Sequence, residues 1–349
     1  MSDRIDPRPG NRPAQEGLMR SHNRPRVFSG IQPTGRLHLG NLLGAVKGWV
    51  AQLDRTDTVI CIVDLHALTI ARDLDETRTN RLGLAAALIA AGVDPDRCIL
   101  FMQSAVPEHA QLGWIMQCTA SYGELSRMTQ FKEKRERVEF ISSGLFSYPA
   151  LQAADILLYD TDEVPVGDDQ RQHVELCRDL AIRFNNRYGD TFVVPRHVIA
   201  PVGARVMDLA NPTNKMSKSL DGPGTIWLSD PVASIEKKFK RAVTDSLDSV
   251  TYDREGQPGV ANLLDILSAC TGTPPADLAR SYDQYGALKL DCAAAVIELV
   301  EPIRQRSLSL LQDPAELDRI LTTGANRARE IASDVLARAT TNIGLLDKS

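Results

Sequence analysis

The residues of this chain that could do chemistry fall into three segments, and the first is rich in glycine. Residues 30–41 read GIQPTGRLHLGN, a turn that follows a short apolar run and precedes a helical pattern. Backbone N–H groups at the start of such a helix lack partners within the helix, so they bind phosphate well. Gly30 and Gly40 would let a nucleotide approach bare backbone, and His38 and Asn41 could face its phosphates. An ordinary turn stays an alternative, because the segment is neither a Walker loop nor a dinucleotide fingerprint.

The second segment is a lysine-containing loop at residues 215–219, which read KMSKS. Lys215 and Lys218 are three positions apart, and turn-forming residues flank the loop on both sides. Two lysines on a mobile loop would form a cationic clamp, which suits a polyphosphate whose leaving group gains charge in the transition state. The alternative is a solvent-exposed basic loop.

The third segment is a predicted helix at residues 148–158 with a polar stripe on an otherwise apolar surface. Tyr148, Gln152 and Asp155 fall at i, i+4 and i+7, so they share one helical face. Pro149 suits the first turn of a helix. On a solvent-exposed face this stripe would be unremarkable, whereas a buried stripe would line a small pocket with a few fixed hydrogen-bonding groups.

The elements that must position these segments alternate between strand and helix over the first half of the chain. A continuous β-branched run at residues 59–63 is typical of a strand buried on both faces of a parallel sheet. We therefore expect an α/β fold with a doubly wound, Rossmann-like parallel sheet. The predicted strands are 26–30, 59–63 and 98–103, and the predicted helices are 41–53, 75–91 (capped by Gly92) and 108–120.

The second half of the chain carries helical spacing with little strand signal, which predicts a mostly helical C-terminal domain. The helical segments are 232–244, 259–270, 288–311 and 317–343. The first residues are polar and rich in Arg, Pro and Asn, the composition of a loose tail. We expect four parts: a disordered tail over 1–25, a Rossmann-like domain over 26–211, a helical domain over 212–312 that starts with the mobile loop, and a C-terminal helix over 313–349.

The amino-acid composition limits which classes of function the protein could have. Lys and Arg total 40 and Asp and Glu total 45, so the net charge is 40 − 45 = −5, which excludes a broadly basic nucleic-acid coat protein but allows a local basic patch. The longest apolar stretch, residues 82–93, is too short to cross a bilayer. Six scattered cysteines without a Cys-x-x-Cys pair disfavour a disulfide scaffold or a structural zinc site. With no signal segment at the start, we expect a cytoplasmic protein.

The first two segments together resemble the paired signatures of class I aminoacyl-tRNA synthetases. Residues 38–41 resemble the His-x-Gly-His element, with Asn41 at the second histidine, and residues 215–219 match the KMSKS loop letter for letter. Residues 28–35, FSGIQPTG, look like the tryptophan-specific branch in particular. Further similar stretches are 64–69, 126–134, 165–170 with His173, and 242–246. The resemblance extends from about Phe28 to near the C-terminus.

Two positions depart from this branch. Gln152 stands where many members have methionine and where tyrosine-specific relatives often have glutamine. His38 stands where the branch often has threonine.

The resemblance implies a set of residues that bind tryptophan. Asp155 would accept the indole N–H, and an unpaired buried carboxylate would then penalise phenylalanine by roughly 1–3 kcal/mol or more. Tyr148, Gln152 and Gln170 would hold the amino group and backbone of the substrate. His66 and Val166 would lie beside the ring. The set is completed by Phe28 and Gly30.

The resemblance also implies a set of residues that bind ATP and stabilise the transition state. The catalytic residues would be Gln32 near the α-phosphate, Lys215 and Lys218 on the departing pyrophosphate, and Lys134 on the triphosphate. Mg²⁺ would bind through the ATP phosphates. No metal site of the chain itself is expected, because the acidic residues 168–169 suit a helix cap and substrate contact. The ATP-binding set is Gly30, Gln32, His38, Gly40, Asn41, Gly167, Asp169, Lys215, Met216, Ser217, Lys218 and Ser219.

The implied activity is the ATP-dependent activation of L-tryptophan and its transfer to the 2′-OH of the terminal adenosine of tRNA(Trp). The implied assembly is a homodimer, without a membrane, with tRNA held across both subunits and its anticodon on the helical domain. Phosphate contacts there could come from Lys237, Lys238, Lys240 and Arg241, for which a solvent-exposed helix face is the alternative. Three other functions stay open: a tyrosine-charging relative, a non-charging tRNA-binding paralogue, and a small-molecule nucleotidyltransferase with the same fold.

Overall fold

The computed structural model describes residues 24–70, 73–135, 140–167, 170–199, 206–217 and 222–346, without the side chains of residues 133–135 and 199. The strands are β1 Arg26–Ile31, β2 Asp57–Ile62, β3 Ile99–Met102, β4 Glu163–Val166 and β5 Arg196–Ile199. The helices before β5 are α1 Leu39–Asn41, α2 Lys47–Gln52, α3 Asp64–Ala67, α4 Leu74–Ala90, α5 Glu108–Thr119, α6 Tyr122–Ser126, α7 Thr129–Arg135, α8 Ser143–Leu157 and α9 Arg171–Tyr188. The helices after β5 are α10 Val232–Lys240, α11 Pro258–Thr271, α12 Pro275–Ala279, α13 Tyr285–Gln312 and α14 Pro314–Asn342.

The five strands form one sheet in the order β3-β2-β1-β4-β5, and every pairing is parallel. The chain winds outward from β1 in one direction and then in the other, which confirms the doubly wound α/β fold and the mostly helical second half. The direction changes between β1 and β4, so the carboxyl ends of these two strands border a crevice.

Alternate residues of the sheet feed two hydrophobic cores. In β2, Ile60 and Ile62 belong to one core with α4, and Val59 and Cys61 belong to the other with α5, α8 and α9. This burial on both faces explains why the strand reads as a continuous apolar run. The first core continues into α10, α11 and α13, so the helical half of the chain shares a core with one face of the sheet.

Two local predictions need correction. The helix expected over residues 41–53 begins at Leu39 and contains a π-helical turn over Leu42–Val46. Pro149 does not lie in a first turn, because α8 begins at Ser143 and Ser142 caps it by accepting a hydrogen bond from the Leu145 N–H at 3.1 Å. Pro149 is therefore inside the helix, where its missing N–H removes one backbone hydrogen bond.

The last helix, α14, lies along the edge strand β3 and contributes to both cores. Leu317 and Leu321 pack in the first core, and the helix then supplies alanine and valine side chains to the second. Between them, Gly324 faces β3 so closely that a Cβ atom there would lie 1.9 Å from the carbonyl oxygen of Leu100. A helix that covers an edge strand in this way also shields the strand from pairing with another chain. No helix in the described ranges is long and apolar enough to span a bilayer.

The glycine at this crossing gives a stability prediction. Gly324→Ala is expected to lower the free energy of unfolding by about 2–3 kcal/mol, because the added methyl group forces the helix away from β3. Urea denaturation measures this change. The matched control is Gly83→Ala in α4, where a Cβ atom meets nothing within 4 Å, and alanine there should leave stability unchanged or raise it by up to about 1 kcal/mol. Equal stability of the two variants would contradict the close packing described for α14.

Candidate active site

A cavity of about 410 Å³ opens at the crevice between the carboxyl ends of β1 and β4. Its walls come from the end of β1, from α8, from β4 and the segment that follows it, and from Val63 and His66 after β2. This is the place where ligands bind in doubly wound sheets, since the loops on either side of the strand reversal diverge there.

All eight positions that the sequence assigns to tryptophan line this one cavity. Gln32 and Gly167 from the nucleotide set line it as well, and Gly30 belongs to both sets. The cavity is therefore shared between the predicted amino-acid site and one end of the predicted nucleotide site. The eight are Phe28, Gly30, His66, Tyr148, Gln152, Asp155, Val166 and Gln170.

The polar stripe of α8 lines the cavity, with Tyr148 and Asp155 buried and Gln152 half-buried. Asp155 is 1% exposed and Tyr148 is 6% exposed. The Tyr148 hydroxyl donates to Gln130 Oε1 at 3.3 Å and lies 2.9 Å from His173 Nε2. Gln152 donates through Nε2 to Gln170 Oε1 at 3.5 Å, which joins two of the predicted tryptophan contacts.

Asp155 is the centre of a buried hydrogen-bond network. Its Oδ2 lies 2.7 Å from His66 Nε2, and its Oδ1 lies 2.6 Å from His109 Nδ1 and accepts from Gln103 Nε2 at 2.6 Å. Burial by itself would raise the pKa of Asp155, but the electrostatic attraction of His66 and the hydrogen bonds from His109 and His66 lower that pKa well below its usual range. Asp155 therefore stays ionised and can only accept hydrogen bonds.

The nucleotide signature begins the first helix. His38 Nδ1 accepts from the Asn41 N–H at 3.2 Å, and Asn41 Oδ1 accepts from the His38 N–H at 3.3 Å, which is a reciprocal capping box. The two side chains thus fix the helix start at which the sequence predicts a phosphate site. A Cβ atom at Gly40 would lie 3.1 Å from the His38 ring, so any side chain at this position would crowd that ring.

The lysine-containing loop is described as far as residue 217. Lys215 is exposed and its backbone bridges to Met207, whereas the Met216 side chain is 2% exposed and packs in the first core near Gly40. Only the Met216 backbone could therefore meet a nucleotide. Lys218, Ser219 and Asp169 lie outside the described residues, as does the side chain of Lys134, so their predicted roles stay predictions.

The structure also bears on the expected helix cap before α9, on the basic residues of α10 and on the expected absence of a metal site. Helix α9 is preceded by Gln170, whose side chain makes no capping bond, and residues 168–169 lie outside the described residues. Lys238 is neither free for tRNA nor solvated, because its Nζ lies 2.6 Å from Asp230 Oδ2 and donates to the Thr225 carbonyl at 2.7 Å. Within the described ranges, no group of three or more His, Cys, Asp or Glu side chains could hold a metal ion.

Sequence reasoning missed Gln103 and His109, which hold the carboxylate of Asp155. A signal was available, because Gln103 directly follows β3 and His66 closely follows β2. The carboxyl ends of neighbouring parallel strands meet at one edge of the sheet, so polar residues after both strands predict a shared site. Gln130, another missed residue, lines the cavity and bonds to Tyr148.

Comparison with known proteins identifies the family. The sequence profile described as tRNA synthetases class I (W and Y) matches residues 19–303. The chain therefore belongs to the class I tRNA synthetases of this group. Tryptophan--tRNA ligase 1 of Streptomyces coelicolor is 54% identical over 329 residues, which cover 92% of this chain and 97% of that protein. Tryptophan--tRNA ligase of Mycobacterium leprae is 49% identical over 92% of this chain and 96% of that protein. Within the family, the chain thus falls in the tryptophan-specific branch that the sequence motifs indicate.

A solved structure agrees with this placement. Tryptophanyl-tRNA synthetase from Campylobacter jejuni, complexed with ADP and tryptophan, superposes with a TM-score of 0.81 at 34% identity, covering 91% of this chain and 99% of that one. A tyrosyl-tRNA synthetase from Aeropyrum pernix, at 23% identity and a TM-score of 0.63 over 85% of this chain and 89% of that one, shares the fold.

The Asp155 network predicts a pH-dependent stability difference. Asp155→Asn is expected to lower the free energy of unfolding by about 3 kcal/mol at pH 7, because the amide cannot accept all three donors. A carboxyl whose pKa is lowered by folding contributes stability above its unfolded pKa of about 3.9, and this stability is lost as the pH falls below that value. The gap between wild type and Asp155→Asn should therefore narrow on acidification below about pH 4.

Urea denaturation at a series of pH values measures this gap. The control is Asp283→Asn, an exposed carboxylate, which should leave stability unchanged at every pH. A gap between wild type and Asp155→Asn that stays constant down to acid pH would contradict an ionised Asp155 held by these donors.

Proposed function

We propose that this chain activates L-tryptophan with ATP and transfers the tryptophanyl group to the 2′-OH of the terminal adenosine of tRNA(Trp). The observation that carries the proposal is the ionised Asp155 carboxylate in the wall of a cavity lined by all eight predicted tryptophan contacts. The relatives at about half identity are tryptophan--tRNA ligases, and a relative of known structure binds tryptophan and ADP. These agree with the proposed substrates.

Selection of tryptophan follows from the acceptor in the cavity wall. The indole N–H donates to Asp155, while Phe28, His66 and Val166 contact the ring and Tyr148, Gln152 and Gln170 hold the amino-acid backbone. Phenylalanine brings no donor, so the buried carboxylate would lose a hydrogen bond at a cost of roughly 1–3 kcal/mol or more.

In the first step the tryptophan carboxylate attacks the α-phosphate of ATP, the bond to the β-phosphate breaks, and pyrophosphate leaves. The attacking carboxylate is already ionised, so no side chain must serve as nucleophile or base, and catalysis rests on positioning and charge stabilisation. Gln32 lies where the cavity meets the nucleotide site, and Lys134, Lys215 and Lys218 stabilise the departing pyrophosphate. Mg²⁺, when bound to the ATP phosphates, neutralises part of their charge.

The nucleotide lies against the start of α1, where the helix dipole favours phosphate. Two N–H groups of this first turn are already bonded within the protein, that of Leu39 to the Ile226 carbonyl at 2.8 Å and that of Asn41 to His38 Nδ1 at 3.2 Å. The capping box of His38 and Asn41 supports this placement, because it holds the helix start in one conformation. Gly30 and Gly40 let the nucleotide approach the backbone. The other proposed contacts are Gly167, Asp169 and the loop residues Lys215, Met216, Ser217, Lys218 and Ser219.

In the second step the ribose hydroxyl of tRNA(Trp) attacks the activated carbonyl and AMP leaves. The catalytic domain is residues 26–211, the helical domain that meets the anticodon is residues 212–312, and residues 313–349 return to the catalytic domain. Lys237, Lys240 and Arg241 remain available on α10 and its end for phosphate contacts, whereas Lys238 is engaged by Asp230.

The chain works as a homodimer in the cytoplasm. Large apolar side chains are exposed on α5, α6 and the segment before α8, among them Trp114 at 66%, Tyr122 at 78% and Phe140 at 81%. The rings of Tyr122 and of Phe146 in α8 pack together, with centroids 5.2 Å apart. Exposed apolar surface of this kind favours association with a second copy. All six cysteines are free, which agrees with a reducing compartment.

The assignment of substrate is tested by amino-acid-dependent exchange of labelled pyrophosphate into ATP. Exchange is expected with tryptophan. The rate of exchange with tyrosine or phenylalanine should be lower by at least about a hundredfold. Lys215→Ala should lower the exchange rate by about a hundredfold or more, because it removes a positive charge that stabilises the departing pyrophosphate. Lys237→Ala should leave the exchange rate unchanged.

Exchange with tyrosine in preference to tryptophan would move the chain to the tyrosine-charging relatives, with Gln152 as the informative residue. Absence of exchange with all three amino acids would indicate the non-charging paralogue.

The oligomeric state gives an independent prediction. Trp114→Glu combined with Tyr122→Glu is expected to convert the dimer to a monomer in sedimentation or light-scattering measurements, because two charges would be buried without partners. Leu290→Glu, at a side chain 72% exposed on α13, is the control and should leave the dimer intact. A wild-type protein that sediments as a monomer would contradict the proposed assembly.

A further inference from the structure

The two oxygens of the Asp155 carboxylate carry different numbers of donors. Oδ1 accepts from Gln103 Nε2 and from His109 Nδ1, both at 2.6 Å, whereas within the described residues Oδ2 is bonded to His66 Nε2 alone, at 2.7 Å. Each oxygen of an ionised carboxylate has two lone pairs. Oδ1 is therefore saturated, and Oδ2 keeps one lone pair for a further donor.

Gln103 and His109 act on this carboxylate from behind the cavity wall. Both side chains are fully buried, and neither lines the cavity that His66 and Asp155 line. The amide of Gln103 has a fixed orientation, because its Oε1 accepts the backbone N–H of Leu65 at 3.1 Å and its Nε2 is left for Asp155.

The ring of His109 is fixed as well. A carboxylate can only accept, so His109 Nδ1 must carry the hydrogen that faces Asp155. The other ring nitrogen, Nε2, lies 2.7 Å from the Tyr159 hydroxyl. Burial raises the pKa of Tyr159 well above its usual range, so the phenol keeps its proton. The contacts on both ring nitrogens hold the ring of His109 in one orientation, with Nδ1 directed at Asp155.

We propose that Gln103 and His109 are positioning residues for tryptophan selection, because by holding Oδ1 together they turn Oδ2 toward the cavity to accept the indole N–H. This inference rests on the proposed function and adds two residues that do not touch the substrate. Without these donors the carboxylate rotates about its Cβ–Cγ bond, and its acceptor no longer stands where the indole N–H arrives. Discrimination by the N–H group is then lost, even though Asp155 is still present.

The test uses the benzothiophene analogue of tryptophan, in which sulfur replaces the ring N–H. The preference ratio is the kcat/KM of pyrophosphate exchange with tryptophan divided by the value with the analogue. His109→Leu and Gln103→Met each remove a donor to Oδ1, and we expect each to lower the ratio by at least about tenfold. The loss should appear mainly in the KM for tryptophan, with kcat and the KM for ATP little changed.

Two matched variants separate positioning from packing. His109→Asn keeps an N–H donor near the position of Nδ1, so it should restore most of the preference ratio. Phe101→Leu perturbs the same core, because the Phe101 and His109 rings lie 5.8 Å apart between centroids, but it removes no bond to Asp155 and should leave the ratio at the wild-type value.

The outcomes distinguish this inference from the proposed function. Suppose that the wild type exchanges pyrophosphate with tryptophan, but His109→Leu and Gln103→Met have the same preference ratio as Phe101→Leu. This result would overturn the positioning role and leave the proposed function intact. Absence of wild-type exchange with tryptophan would overturn both. Should His109→Leu fail to fold, Gln103→Met decides, since a wild-type ratio in that variant contradicts the proposal.

Discussion

A carboxylate buried in the wall of the cavity is the constraint on which the rest of this site depends. Removing the charge of Asp155 from water favours its protonation, and a protonated carboxyl could no longer accept equally at both oxygens. The molecule keeps the group ionised by directing three donors at it, one from the residues after β2, one from the residues after β3 and one from α5. The site therefore requires four separate elements to be held in fixed positions relative to one another.

The parallel sheet holds these elements in position. Its strands end at one edge, and side chains after neighbouring strands bond across the gap: Asp64 accepts from the Ser104 N–H at 2.8 Å and from its hydroxyl at 2.6 Å, beside the bond between Gln103 and the Leu65 N–H. These contacts tie the end of β2 to the end of β3. The capping box sets the start of α1, the helix that follows β1. The predicted amino-acid site and the predicted phosphate site thus both adjoin the segment that follows β1.

Much of this arrangement can be predicted from sequence because the relevant signals are local. The β-branched run gives β2, helical periodicity gives α4, α5 and α14, and spacing along α8 aligns Tyr148, Gln152 and Asp155. Strands β4 and β5 escape prediction, because they are four residues long and β4 contains Pro165. Pro149 suggests a helix start, but Ser142 caps the helix earlier and packing tolerates the proline. The donor His109 is missed because its role exists only once α5 and α8 are packed together, whereas the position of Gln103 directly after β3 is a signal that the sequence does offer.

Helix α14 bears on how the protein is made. It supplies side chains to both hydrophobic cores and covers β3, yet it is translated after every other element described here. While the ribosome is still extending the chain, the sheet therefore has an uncovered edge and both cores are incomplete. A nascent chain interrupted before α14 would display apolar surface on each face of the sheet, which is the feature that chaperones and proteases recognise. The fold described here is therefore completed only once α14 has been synthesised.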